Sequence, residues 1–298
     1  HIPAMITRKE ISLQVPWGHI AAIAWGNADN KPVLMVHGNL DNAGSFSRLI
    51  PHLPDNYYYV AIDLPSHGLS SHFPSGMFLD FFNFMLAIRY VLDELKWEKC
   101  FYLGHSLGGI LGVMFTIFFP GRLEKVIAID ALLNLAYSPS DAVERLKLVT
   151  NTTLSSLERK DPPLYTKEQV LEAMMNKRRI KITREAAEAL FERAVTKVDD
   201  NKYKYNRDIR MRIHLGLYFS EEQNIEFLKN ITSPVLHIVA SHSWYDVLKK
   251  NYILEEYKKQ SPPCLSFVIA EGSHDVHNDN PENVAPHVIS FFTNCDNK

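Results

Sequence analysis

Short apolar runs alternate with helix-forming segments along most of this sequence, and that alternation restricts the fold more than any other feature. From the third run onward the runs lack regular polar alternation, which is typical of strands covered on both faces. Eight runs qualify as strands: Ile11–Val15, Ile20–Trp25, Val33–His37, Tyr57–Ile62, Cys100–Leu103, Val126–Ile129, Val235–Ala240 and Leu265–Ala270. Helical patterns cover Phe46–Leu53, Phe78–Leu95, Leu107–Phe119, Val247–Lys259 and Pro281–Phe292. This order predicts an α/β domain whose eight-stranded, mostly parallel sheet carries helices on both faces.

The strand pattern stops between residues 136 and 233, where charged and helix-forming residues dominate. Residues 166–169 have the capping-box pattern that starts a helix, and apolar residues after Thr183 recur at helical spacing. We therefore expect a helical cap or lid, residues 136–233, inserted between strands 6 and 7 of a core formed by residues 1–135 and 234–298. The basic run Lys177–Lys181 within this cap is interpreted as a solvated helix end.

Charge and cysteine content exclude several classes of partner. The net charge is −2, so the chain lacks the basic excess expected of a protein that binds nucleic acid. Cys100, Cys264 and Cys295 show no Cys-x-x-Cys spacing and predict neither a disulfide framework nor a zinc site.

The longest apolar stretch, Leu107–Phe119, is too short to span a bilayer and ends at Pro120. No secretory signal pattern is found, so we expect no transmembrane segment and a cytoplasmic location.

The strand Cys100–Leu103 is followed by Gly104-His105-Ser106-Leu107-Gly108, which opens an apolar helix. A serine on a sharp strand-to-helix turn needs small residues two positions before and after it, because neighbouring backbone segments approach closely there. Gly104 and Gly108 meet this need. The turn exposes the serine hydroxyl at the carboxyl end of the sheet, beside the free N–H groups of a helix N-terminus. We interpret Ser106 as a candidate nucleophile.

A second turn, His37-Gly38-Asn39, follows the third predicted strand and therefore lies at the same edge of a parallel sheet. The backbone N–H groups of Asn39 and Leu107 are expected to form an oxyanion hole. His37 and Asp41 are expected only to hold this loop in place.

The general base is expected in the segment Gly272-Ser273-His274-Asp275-Val276-His277, which follows the last strand. A catalytic triad of serine, acid and histidine on such a sheet has its histidine last in the chain, so we assign His274 as the base. His277 is interpreted as a structural or pocket-lining residue. A His-x-x-His metal pair here has no evident third ligand, so we expect no metal site.

These motifs, together with Asp63–Ser70, resemble those of the α/β-hydrolase superfamily over nearly the full chain. More narrowly, four segments are similar to the serine hydrolase-like proteins of animals, the kraken group: Val15–Ala22, Leu40–Asn42, Leu49–Pro51 and His67–His72. Ser66 departs from the usual glycine of the superfamily, and Asn39 stands where an aromatic residue is frequent. The resemblance implies an α/β-hydrolase fold and a serine nucleophile.

The acid of the triad has two candidates. In most members of the superfamily it follows the strand after the cap, but here Ser243 stands at that position and Asp246 comes three residues later. Asp130 ends the strand Val126–Ile129, a position that several subgroups use for the acid. We favour Asp130 and keep Asp246 as the alternative.

The predicted function is that of a serine hydrolase that cleaves carboxylic esters, or alternatively thioesters, of small to medium apolar substrates without a cofactor. The expected partner is thus a small-molecule ester. His105, Met174 and Met175 are expected to contact this substrate. Further apolar residues of the cap are available for a pocket wall: Leu171, Leu190 and Phe191. The alternative function is a small-molecule-binding protein on the same fold that is catalytically slow or inactive.

Overall fold

A computed structural model of the chain describes residues 7–158, 160–213 and 219–294. Cys295 and the outermost ends of the predicted core domain, 1–6 and 295–298, lie outside these residues. The main sheet has eight strands, in the order β1-β2-β4-β3-β5-β6-β9-β10. These strands are β1 Arg8–Val15, β2 Gly18–Trp25, β3 Lys31–Val36, β4 Tyr57–Ile62, β5 Cys100–His105, β6 Leu123–Ile129, β9 Val235–His242 and β10 Leu265–Ser273. Each corresponds to one of the eight predicted runs, so the predicted sheet is confirmed.

The sheet is mostly parallel, as predicted. Strand β1 pairs with β2, and β2 with β4, in antiparallel fashion, whereas the six strands from β4 to β10 in sheet order pair in parallel. The carboxyl ends of β3, β5, β6, β9 and β10 therefore meet at one edge of the sheet, which is where binding sites of open α/β sheets form.

Strand β3 shows why its sequence is continuously apolar. Leu34 and Val36 belong to one apolar core, Val33 and Met35 to the core on the opposite face, and all four are fully buried. Alternate side chains of a strand point to opposite faces, so a strand between two cores needs apolar residues at every position.

Helices cover both faces of this sheet. Residues of α1 (Phe81–Glu94), α2 (Leu107–Phe118) and α8 (Asn251–Lys259) contribute to the core that contains Leu34, and residues of α9 (Val276–Asp279) and α10 (Pro281–Thr293) contribute to the other core. The described residues contain no helix that is both long and apolar enough to cross a membrane.

Two of the predicted helices are wrong in their extent. In place of the predicted helix Phe46–Leu53 there are two short 3-10 turns, Ala43–Phe46 and Ile50–His52, and Pro51, which has no N–H to donate, stands in the first turn of the second. The segment predicted at 247–259 is divided into α7 (Trp244–Val247) and α8 by Lys249, whose φ of 54° is incompatible with a continuous helix.

The elements between β6 and β9 are not all helical, which corrects the prediction of a purely helical insertion. The helices are α3 (Pro139–Ser155), α4 (Lys167–Glu172), α5 (Arg184–Ala194) and α6 (Glu221–Lys229), and α4 continues into a π-helical turn, Ala173–Lys177. A hairpin of β7 (Val195–Asp199) and β8 (Lys202–Tyr205) follows α5. Its alternating β-branched and aromatic residues, separated by a turn with Asn201 at a φ of 46°, favour paired strands over a helix.

Candidate active site

Ser106 lies between the end of β5 and the start of α2 with φ 53° and ψ −118°, a strained conformation for a residue other than glycine. A Cβ atom at Gly104 would overlap the carbonyl oxygen of Gly108, and one at Gly108 would overlap the carbonyl oxygen of Val36. The turn therefore requires both glycines. The backbone N–H of Ser106 donates to the Ile129 carbonyl at the end of β6, 2.9 Å away.

The sheet register places the predicted acid, Asp130, at the same level along the strands as Ser106. His105 of β5 pairs with Ile129 of β6, so Ser106 and Asp130 follow neighbouring strands at equal height. His274 follows the end of β10 and donates from Nδ1 to Oδ2 of Asp130 over 2.8 Å. This bond fixes the tautomer in which Nε2 carries no proton and can accept one. Ser106 and His274 both line one cavity.

The carboxylate of Asp130 is fully buried and accepts four hydrogen bonds. Oδ1 accepts from the backbone N–H of Ala240 at 2.9 Å and from the hydroxyl of Ser243 at 2.7 Å. Oδ2 accepts from the Trp244 backbone N–H at 2.9 Å in addition to His274. These donors stabilise the charged form of an otherwise costly buried carboxylate.

The alternative acid, Asp246, has a different environment. Its Oδ2 accepts from the backbone N–H of Ser243 at 2.9 Å, which closes the capping box of α7. Ser243, at the usual place of the acid, donates to Asp130. The structure thus brings Asp130 to His274 and uses Asp246 as a helix cap.

The pKa shifts follow from these contacts. Burial disfavours the protonated form of His274, but its hydrogen bond to Asp130 and the nearby carboxylates outweigh burial and raise the pKa of the imidazole. For Asp130 burial acts to raise the pKa, but the bond to His274 and the backbone donors outweigh it and hold the pKa below its usual value. The pair therefore favours an imidazolium next to a carboxylate, the charge state that a serine triad forms during reaction.

The two predicted oxyanion donors lie beside the serine. A Cβ atom at Gly38 would lie 3.0 Å from the Cβ of Ser106, so the loop that carries Asn39 runs directly against the nucleophile. Leu107 is the first residue of α2, and its N–H has no acceptor within the helix. Within the described parts of the chain, no protein group accepts from the N–H of Asn39 or of Leu107.

Two histidines fix the loop that carries Asn39 by accepting hydrogen bonds from backbone N–H groups. His37 Nε2 accepts from the N–H of Leu64 at 2.9 Å, and His67 Nε2 accepts from the N–H of Leu40 at 3.0 Å. Burial lowers the pKa of each imidazole to about 3, so both stay neutral and retain these acceptors.

His105 contacts His274, and His277 packs against His105. His105 Nε2 donates to the backbone carbonyl of His274 at 2.8 Å, and its ring stacks on His277 with centroids 4.0 Å apart. Burial lowers the pKa of His105 to about 4 and that of His277 well below its ordinary value. His105 lines the cavity but is almost fully buried, whereas His277 is not among the lining residues.

Arg178 is a contact that the sequence interpretation missed. Its Nη1 donates to Asp41 at 3.0 Å and its Nη2 donates to Asp275 at 3.2 Å. It thereby joins the turn after α4 to the loop behind Asn39 and to the residue after His274. The interpretation of the basic run as a solvated helix end is wrong at this residue, because two buried carboxylates supply partners that no local pattern reveals.

Asp41 and Asp275 also belong to the one group of potential metal ligands among the described residues. With His105 they place one ligand atom each within 4.8 Å of one another. In the structure the guanidinium of Arg178 contacts both of these carboxylates, so an arginine supplies positive charge at this point.

The cavity above Ser106 has a volume of about 620 Å³, within the range of small-molecule sites. Met174, an expected substrate contact, and Leu190, an expected wall residue, both line it. Met175, Leu171 and Phe191 are not lining residues; they pack in or against the apolar core of the insertion.

Comparison with known proteins agrees with this fold. The family model for the α/β hydrolase fold matches residues 31–281. Serine hydrolase-like protein 2 of Homo sapiens is 36% identical over 308 residues, covering 98% of this chain and 96% of the human protein. The serine hydrolase-like protein of Danio rerio is 32% identical, covering 95% of this chain and 88% of its own length. A crystal structure of a hypothetical protein from Pseudomonas aeruginosa PAO1 has a TM-score of 0.83 at 30% identity, covering 95% of this chain and 98% of that one.

The chain belongs to the α/β-hydrolase family and, within it, to the serine hydrolase-like proteins. Both resemblances drawn from the sequence are thereby confirmed. The fold and these relatives support a hydrolase.

Proposed function

We propose that this protein is a serine hydrolase that cleaves carboxylic esters, and by the same chemistry thioesters, through the triad Ser106, His274 and Asp130. The observation that carries the proposal is the buried 2.8 Å hydrogen bond between His274 and Asp130 beside a serine on a strained strand-to-helix turn. A nucleophile, a base and a group that orients the base are the three parts that this chemistry needs.

In the proposed reaction the hydroxyl oxygen of Ser106 attacks the acyl carbon while Nε2 of His274 takes its proton. The N–H groups of Asn39 and Leu107 stabilise the oxyanion, and Asp130 stabilises the imidazolium. His274 then gives the proton to the leaving alcohol or thiol, which leaves an acyl ester on Ser106. Water, deprotonated by His274, attacks that ester and releases the acid and the free serine. The steps use no metal or organic cofactor.

We also propose that residues 136–233 act as a cap over a core of residues 1–135 and 234–298. The cavity that contains Ser106 and His274 is lined from the other side by Tyr165, Met174 and Leu190. Met174, Leu190 and Ile180 present apolar surface there, which supports acyl or alcohol groups of small to medium size.

A fluorophosphonate probe tests the proposal, because it reacts with a serine only where a base activates it. Intact mass should show a single addition to the wild type and none to Ser106→Ala. Ser75→Ala removes an exposed serine outside the cavity and should be labelled like the wild type. No labelling of folded wild type would contradict the proposal and favour the slow or inactive binding protein.

A further inference from the structure

The cavity above Ser106 has an excess of positive charge on its lining. Two carboxylates line it, Asp41 and Asp275, and Arg178 donates to both. Three more cations also line it: Lys177, Arg179 and Arg207. All three are exposed, and none has a carboxylate partner within the described part of the chain.

Several arginines away from the cavity pair with a carboxylate: Arg89, Arg122, Arg184, Arg193 and Arg210. At the cavity, Arg179 instead lies over the ring of Trp244, 5.0 Å from its centroid, and Arg207 lies over the ring of Tyr205 at 4.3 Å. Trp244 and Tyr205 are themselves lining residues. Stacking on a ring positions a guanidinium without neutralising its charge.

The two stacked arginines come from separate segments of the insertion. Arg179 follows the π-helical turn at the end of α4, and Arg207 follows β8. Their approach to one cavity is therefore a product of the tertiary fold and not of a local basic run. Planar guanidinium groups bind carboxylates and phosphates through paired N–H donors, and a cleft lined by one sign of charge concentrates ligands of the opposite sign.

We propose that Lys177, Arg179 and Arg207 recognise an anionic group, a carboxylate or a phosphate, on the substrate of this hydrolase. The substrate class is then an ester or thioester whose apolar part contacts Met174, Ile180 and Leu190 and which carries negative charge away from the reacting bond. This inference rests on the proposed function for the reaction, and it replaces the apolar substrate expected from the sequence by an amphiphilic one.

Two pairs of substrates separate charge from reactivity. Mono-4-nitrophenyl adipate and 4-nitrophenyl hexanoate share acyl length and leaving group, but only the adipate ends in a carboxylate. Hexanoyl-coenzyme A and hexanoyl-N-acetylcysteamine share the acyl group, but only the first carries phosphates, on the leaving side. Rates are corrected with Ser106→Ala. We expect kcat/KM to favour the anionic member of at least one pair by about tenfold, and the preference to shrink as salt screens the charges.

The charge variants are Arg179→Gln and Arg207→Gln, singly and together. We expect each single replacement to lower the preference for the anionic substrate over its neutral partner by about threefold, and the double replacement to remove most of the tenfold preference. Lys181→Gln is the matched control, because Lys181 is an exposed cation of the same segment that does not line the cavity. It should leave the preference unchanged.

Equal rates within both pairs, or variants that affect both members equally, would overturn the inference while leaving the hydrolase intact. If no substrate is turned over, the binding of unreactive analogues tests the anion site instead. Unreactive analogues are titrated into Ser106→Ala. For the carboxylate pair they are the anilides of adipic and hexanoic acid. For the phosphate pair they are the hexyl thioethers of coenzyme A and of N-acetylcysteamine. An anionic preference that Arg179→Gln and Arg207→Gln remove would support the anion site although the proposed reaction had failed. No preference in either pair would refute the site.

Discussion

The replacement Asp130→Asn tests the least obvious assignment in the site. The carboxylate accepts from four donors, and two of them, the N–H groups of Ala240 and Trp244, belong to the backbone and cannot become acceptors. An asparagine presents an NH₂ group to one side. If that group faces His274 it also faces the N–H of Trp244, and if it faces Ser243 it also faces the N–H of Ala240.

Either orientation leaves two donors opposed in a buried site, which costs about 1–3 kcal/mol of unfolding free energy. When the NH₂ group faces His274, Nδ1 must accept and the proton moves to Nε2, so the imidazole can no longer take the serine proton. Loss of the correct tautomer in serine triads lowers kcat by about 10⁴-fold. The other orientation keeps the tautomer but removes the negative charge that stabilises the imidazolium, so kcat falls in both cases. We expect a loss of up to about 10⁴-fold, measured on one reporter ester in folded protein.

Asp246→Asn is the matched control, since it makes the same chemical change on the neighbouring acid. It weakens only the capping box of α7 and should cost at most about 1 kcal/mol, with kcat within twofold of the wild type. Urea denaturation gives both stability changes. A large loss of kcat in Asp246→Asn, or full activity in Asp130→Asn, would refute the assignment of the acid.

Because the pKa of His274 is raised and the base must be neutral, kcat/KM should rise with pH and reach half of its maximum above pH 6.5, and a flat profile from pH 5 to 9 would contradict this. Gly108→Ala should lower the unfolding free energy by about 3 kcal/mol because its methyl group meets the Val36 carbonyl, whereas Gly121→Ala, in open space, should cost about 1 kcal/mol, and equal melting temperatures would count against the tight turn. Arg178→Met should lower the free energy of unfolding by about 3 kcal/mol at pH 8, because two buried carboxylates lose their partner. The loss should be smaller at pH 5, because burial raises the pKa of Asp41 to about 6 and its carboxyl group is then largely neutral. A loss independent of pH would argue against the bridge.

The sheet could be predicted because its strands are buried on two faces and leave long apolar runs. That Ser106 and His274 line one cavity could be predicted, because a sharp turn requires Gly104 and Gly108 and because a base on this fold is expected after the last strand. In both cases the physical requirement acts on neighbours in the sequence.

The choice between Asp130 and Asp246 could not be settled in the same way. It depends on the register of β5 on β6, which sets Asp130 level with Ser106, and on contacts that join Asp130 to His274 across 144 positions. Arg178 was missed for the same reason, since its partners lie 137 and 97 positions away in the sequence. The hairpin of β7 and β8 had a local signal, but the charged composition around it favoured helix.

The proposed reaction requires Ser106 to form a covalent acyl intermediate. Mixing the protein with a reactive ester, stopping the reaction in acid within the first turnover and measuring the intact mass tests this directly. We expect a mass increase equal to the acyl group, located by peptide mapping to the segment that contains Ser106 and absent from Ser106→Ala. Release of the alcohol without that adduct, or an adduct on another residue, would refute Ser106 as the nucleophile.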